Sequence, residues 1–127
     1  MNRSTVLLWA ALLASGCGGS VPTGPDAADP EVARRILNQA LDAWKTGKSP
    51  ADLTTDSPSI RVADEDWLAG MRLVHHESVG EVRVLGATAR CPVRLSLRDP
   101  RGKAVKKDVL YLVGTGPTAS VIRHDGP

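Results

Sequence analysis

A chain of 127 residues with 16 Lys or Arg, 14 Asp or Glu and 3 His has a formal charge of +2. At roughly 100–200 residues per domain it holds one domain with short flanking segments. Apolar residues at 42% and charged residues at 24% exclude wholesale disorder and a collagen-like fibre, and two cysteines exclude a disulfide scaffold. The aromatic side chains, Trp9, Trp44, Trp67 and Tyr111, are too few for a platform that stacks single-stranded nucleic acid.

The chain opens on Arg3 and an uncharged apolar run over residues 6–14, followed by the small residues Ser15 and Gly16. That run is far short of the about 20 residues a membrane-spanning helix needs, and its layout is that of a secretory signal peptide over residues 1–16. Leu13-Ala14-Ser15-Gly16-Cys17 resembles the lipobox of bacterial lipoproteins, with Ala14 standing where that family most often has Leu. The resemblance implies cleavage before Cys17, a diacylglycerol on its sulfur and stable membrane attachment through two or more acyl chains. Gly18 after the cysteine, rather than Asp, points by the same resemblance to the outer membrane. With Cys17 acylated, Cys91 has no intramolecular disulfide partner, and its place in an alternating strand pattern makes it a buried, inert thiol.

Residues 17–29 are then a lipidated cysteine and a tether. Gly, Pro and small polar residues dominate it, and fully extended it reaches about 40 Å. The domain, residues 30–127, begins with a helix capped by Asp29, with Pro30 in its first position and Glu31 at its positive end. Val32, Ile36, Leu37, Ala40, Leu41 and Trp44 make one apolar face, and Gly47 ends the helix. Residues 48–58, with Ser-Pro twice, read as a crossing loop. Ile60–Ala63 reads as a short strand, and Asp64 caps one helical turn through Trp67 and Leu68, stopped by Gly70.

From Met71 the period changes to two. Residues 71–85 form a strand region broken at Gly80 by a bulge or a hairpin turn. Over residues 90–98, Cys91, Val93, Leu95 and Leu97 point one way and Arg90, Pro92, Arg94, Ser96 and Arg98 the other. Asp99-Pro100-Arg101-Gly102 suits a type I turn with a glycine bulge. Pairing Asp99 with Lys103 puts Leu97 opposite Val105, Val93 opposite Val109, Cys91 opposite Tyr111 and Arg94 opposite Asp108. It also puts Lys107 opposite Leu95, which requires that lysine to snorkel. Gly114-Thr115-Gly116-Pro117 marks a further turn, and residues 119–123 a last strand.

One long N-terminal helix followed by an antiparallel meander is an α+β, two-layer domain. This order resembles the cystatin-like and NTF2-like group, in which a helix packs across a curved antiparallel sheet. Ala43-Trp44-Lys45, Gly47-Lys48-Ser49-Pro50, Asp64-Glu65-Asp66-Trp67 and Cys91-Pro92-Val93-Arg94-Leu95 also resemble small uncharacterised envelope proteins of planctomycetes. That likeness implies an envelope location and no particular activity.

No motif assigns a catalytic residue, a metal ligand set or a cofactor. His75 and His76 are adjacent on a strand and point to opposite faces, and no second cysteine or His pair at i and i+4 accompanies them. Asp64, Glu65 and Asp66 read first as a helix N-terminus. Charge is divided along the chain: residues 17–66 carry five basic and nine acidic side chains, residues 67–127 ten and five. Arg90, Arg94, Arg98 and Lys106, with Leu110 and Leu112 on the same strand face, form a candidate interaction face. Its expected partners are anionic lipid heads, an envelope protein or an anionic polymer, besides the membrane reached through the lipid; nucleic acid is not expected.

Three functions follow as expectations. The first is a lipid-anchored envelope protein whose domain is a binding module. The second is a small NTF2-like pocket, ligand-binding or catalytic, using His75 with a carboxylate from Asp64 to Asp66. The third is a passive structural subunit of an envelope assembly. A pocket of about 300 Å³ or more with convergent polar groups favours the second, and a filled space between helix and sheet favours the first.

Overall fold

The computed structural model describes residues 27–124; the expected signal peptide, Cys17 and most of the expected tether lie outside them. Its first helix, α1 (Pro30–Lys45), is capped by Asp29, whose carboxylate accepts from the Glu31 and Val32 amides at 2.8 and 3.2 Å. At the other end Gly47, at φ 97°, sends its amide to Trp44 O, and the Lys48 amide reaches Ala43 O at 3.0 Å, a Schellman closure that only a left-handed residue permits. The buried stripe is Ala33, Leu37, Ala40, Leu41 and Trp44. Val32 and Ile36 are only half-buried, so the contact face is rotated toward Ala33 from the one expected.

Residues 48–58 contain a helix rather than a plain crossing loop. In α2 (Pro50–Thr55), Ser49 and Asp52 form a reciprocal capping box and Leu53 is buried. Strand β1 (Ile60–Ala63) leads through Asp64 into α3 (Glu65–Leu68), closed at Gly70 (φ 90°). Trp67 of α3 stacks on Trp44 with ring centroids 5.0 Å apart and planes 3° from parallel. Each indole satisfies its N–H across a different connection, Trp44 to Met71 O at 2.9 Å and Trp67 to Lys48 O at 2.8 Å.

The remaining strands are β2 (Arg72–Ser78), β3 (Arg83–Leu85), β4 (Thr88–Arg98), β5 (Ala104–Gly114) and β6 (Ala119–His124). The sheet order is β1-β6-β5-β4-β2, with β3 also on β4. The β4–β5 hairpin has the expected register at every pair named above. The Asp99 amide bonds Lys103 O at 3.0 Å, and Gly102 at φ 89° supplies the bulge. Gly80 belongs to an excursion, not a hairpin: β2 and β3 run in the same direction along β4, and residues 79–82 stand where β4 spends only Cys91 and Pro92. A second bulge, at Val74, moves His76 into line with Leu95.

The sheet is mixed, not a pure antiparallel meander. β1 lies parallel to β6, Ile60 beside Ala119 and Val62 beside Val121. The chain between these two strands runs through α3 and β2–β5, far longer than the dozen residues a parallel neighbour needs, and the position buries Ile60. Among the described residues α1 is the first element, and it closes the inner face of the curled sheet with Trp67 and Leu53. Leu41, Leu95, Leu97, Tyr111, Val113 and Val121 fill the space between. The packed chain begins just ahead of the helix: Ala28 is buried, and its amide donates to Gly86 O at 2.8 Å in the β3–β4 turn.

Candidate functional site

Two groups of polar side chains stand out, one inside the sheet and one on its back. The inner group is built on Asp64. As the N-cap of α3 its Oδ1 accepts the Asp66 and Trp67 amides at 2.9 and 3.2 Å. The same oxygen accepts Arg123 Nη1 at 2.9 Å, and Oδ2 accepts the Tyr111 hydroxyl. Asp66 Oδ2 accepts Arg123 Nη2 at 2.5 Å and Lys107 Nζ at 2.8 Å. Lys107 thus runs past Leu95 to end on the α3 carboxylate, its side chain still 38% exposed.

This cluster is fastened, not poised. Asp64 is almost fully buried and both its oxygens are engaged. Burial by itself would raise the Asp66 carboxyl, but the bonds from Lys107 and Arg123 outweigh it and hold it below the usual carboxylate range. Burial also opposes the charge on Arg123, whose bond to Asp66 and the nearby Asp64 charge raise its pKa nonetheless. Burial first, and then the Asp64 charge, push the Tyr111 phenol far up, so it remains a donor. A general base needs a lone pair that substrate can reach, and Asp64 has none to offer.

The expected His75–carboxylate pocket is not assembled. His75 lies on the outer face opposite Ser96, its Nε2 3.4 Å from Glu77 Oε1, while Asp64 and Asp66 are held inside by β5 and β6. His76 points inward, its Nε2 2.9 Å from Asp42 Oδ1 of α1, and His124 sits beside Leu110. No three His, Cys, Asp or Glu gather as a ligand set among the described residues. Cys91 is buried, and burial raises its thiol, which disfavours the reactive thiolate. Hollows of about 400 and 500 Å³ lie at the C-terminal end of α1 and along its exposed side, not between helix and sheet.

The outer face gathers the rest of the sequence-selected residues. Arg90, Arg94 and Arg98 project from β4, with Leu112, Asp108 and Ala104 opposite them, and Lys106 faces Ser96. Arg94 is neutralised by Asp108, Nε to Oδ1 at 2.8 Å and Nη2 to Oδ2 at 3.2 Å. Arg98 donates to Gly102 O at 2.8 Å. Pro92, Leu110 and Leu112 are half-buried and Ile122 is 43% exposed; no helix among the described residues covers them. Cys17, the expected lipid site, lies outside the described residues.

Sequence reasoning missed the arginines on the other side of β4. Arg83 pairs with Arg90, and Arg72 with Arg98. Like charges directly opposite one another destabilise a sheet, and here that occurs twice on one face. The two bulges hid these pairs, since no fixed two-residue period runs through β2 and β3. Arg83, Arg90, Pro92 and Leu110, with Glu81, line a hollow of about 460 Å³. Compared with family models, with curated proteins and with solved structures, the chain matches none.

Proposed function

We propose that this chain is a lipid-anchored cell-envelope protein, held through Cys17, whose domain is a binding module working through the outer face of its sheet. The anchor rests on the lipobox-like run ending at Cys17. The binding reading is carried by one observation: the inner face is filled while the outer face is left open. Leu41, Leu95, Tyr111 and Val113 leave no chamber between α1 and the sheet, whereas the half-buried Leu110 and Leu112, the exposed Ile122 and paired like charges lie uncovered behind it. Soluble domains seldom leave an apolar patch rimmed by charge without a use for it.

The finer fold reading is the cystatin-like and NTF2-like group. A helix across a curled sheet supports it, and α2 adds helix ahead of β1, a feature NTF2-like domains usually have. In this reading the cone has closed on its own side chains.

A photo-crosslinking residue at Leu112, in the full chain in intact cells, tests the binding face against the same residue at Gln39 on the exposed side of α1. Adducts at Leu112 and not at Gln39 are expected. Equal labelling, or none at either position, would remove the binding-module reading.

A further inference from the structure

We infer that the ligand of the outer face is an anionic phospholipid surface, with lipid phosphate held between Arg83 and Arg90 and Leu110, Leu112 and Ile122 turned toward the acyl boundary; this rests on the binding-face reading. Arg83 and Arg90 are directly opposed across the β3–β4 ladder. Among the described residues neither forms an ion pair, and Glu81 is the one carboxylate that lines their hollow. A single carboxylate beside two guanidiniums leaves a net positive site. An oxyanion between the two would convert their repulsion into a pair of charge-assisted hydrogen bonds, the geometry in which arginine binds phosphate best.

The apolar neighbours decide what kind of anion. Leu110 and Pro92 line the same hollow, and Leu112 lies opposite Arg90 and next to Ile122 on β6. A small soluble anion gains nothing from them. A lipid surface offers phosphate and hydrocarbon within a few ångströms of each other, and mixed basic and apolar surfaces bind it through both.

The route of the chain agrees. It enters the domain at Ala28, whose amide is bonded to Gly86 O, in the turn that joins the strands of Arg83 and Arg90. The segment between Cys17 and Ala28 spans at most about 40 Å even fully extended. An anchor at Cys17 would therefore keep this edge of the sheet within about 40 Å of the bilayer.

The test is co-sedimentation of the full chain with vesicles of phosphatidylcholine alone and of phosphatidylcholine with one-third phosphatidylglycerol. The apolar segment at residues 6–14 contributes equally to both, so the readout is the increment due to phosphatidylglycerol. That increment should fall at least about 25-fold in Arg83→Glu/Arg90→Glu, at roughly five-fold for each basic residue lost. It should fall in the same direction in the milder Arg83→Gln/Arg90→Gln and stay unchanged in Arg34→Glu/Arg35→Glu on the exposed side of α1. No increment, or one that survives both Arg83/Arg90 variants, overturns the proposal. So does inorganic phosphate abolishing the increment at millimolar concentration, since the site would then be one for a soluble anion. Leu112 crosslinking to a protein with no phosphatidylglycerol increment would also overturn it and leave the binding face standing; no crosslinking at Leu112 removes the underlying reading itself.

Discussion

Tyr111 shows how much one polar atom organises. Its ring is buried in the sheet and its hydroxyl meets Asp64, the residue that also caps α3. Replacing it with Phe keeps the ring and leaves Asp64 one donor short. A hydrogen bond to a charged group contributes about 1.5–3 kcal/mol, so urea unfolding should report a loss of that size. The phenol also fixes an alkaline limit. In the unfolded chain a tyrosine ionises near pH 10, while the native phenol is held protonated well above its ordinary value by burial and the Asp64 charge. Above about pH 10 the native state thus binds more protons than the unfolded state, and stability must fall as pH rises. Tyr111 is the single tyrosine of the chain, so tyrosinate absorbance should rise together with unfolding. A tyrosinate signal that precedes loss of structure would mean the phenol is exposed. On the acid side the sign reverses. Asp66 is held below the usual carboxylate range, so its contribution is complete above about pH 4 and is lost as pH drops through its lower native value. Asp66→Asn should flatten the acid limb of a stability–pH curve; an unaltered limb would detach Asp66 from it.

At the scale of elements, the joint between α1 and α3 carries the inner layer. Trp44→Ala would remove the stack on Trp67, the donor to Met71 O and the volume of its own ring, and large-to-small changes of this kind cost about 3–5 kcal/mol. An unchanged melting temperature would mean that α1 packs by another face. How far such elements could be read in advance depended on whether their signals were local. Asp99 to Gly102 determine a turn within four residues, and that turn fixes the whole register of β4 and β5. Asp29, Pro30 and Gly47 likewise bound α1 without help from tertiary contacts. α2 had a local signal as well, in Ser49 and Asp52, but two Ser-Pro pairs outweighed it. β2 and β3 had none: the bulge at Val74 and the excursion at residues 79–82 shift the period, and only contact with β4 sets where each side chain points. The parallel pairing of β1 is equally non-local, and with it the reason for Lys107 on an inward position. Half of the candidate face, Arg90 to Leu112, was therefore legible, and the half that opposes it, Arg72 and Arg83, was not.

For the whole molecule, the division of charge along the chain becomes a division in space. The acidic side chains Asp64 and Asp66 are spent inside on Arg123 and Lys107, and the arginines of β2, β3 and β4 remain on the back of the sheet. In the proposed reading, anchor and face would act on membrane attachment with different dependences on salt. Two or more acyl chains hold by hydrophobic transfer, which salt does not weaken, whereas a basic face is screened beyond a Debye length of about 10 Å at 0.1 M salt and about 3 Å at 1 M. Wild-type protein should therefore remain in the membrane pellet at every ionic strength. Cys17→Ala should be largely soluble at ordinary salt, be retained in part on washed membranes at low salt, and leave them at about 1 M. Adding Arg83→Glu/Arg90→Glu to Cys17→Ala should abolish the low-salt fraction and leave the high-salt behaviour as it was. Because one chain would tie the two contributions together, the proposed lipid would raise the effective concentration of the face at the bilayer above what Cys17→Ala reaches from solution. Fractionation at each ionic strength, followed by immunoblotting of the pellet, compares all three proteins. A Cys17→Ala protein that stays pelleted at high salt would place the hydrophobic attachment elsewhere in the chain; a low-salt fraction that survives the arginine reversals would separate the basic face from the membrane and leave the anchor intact.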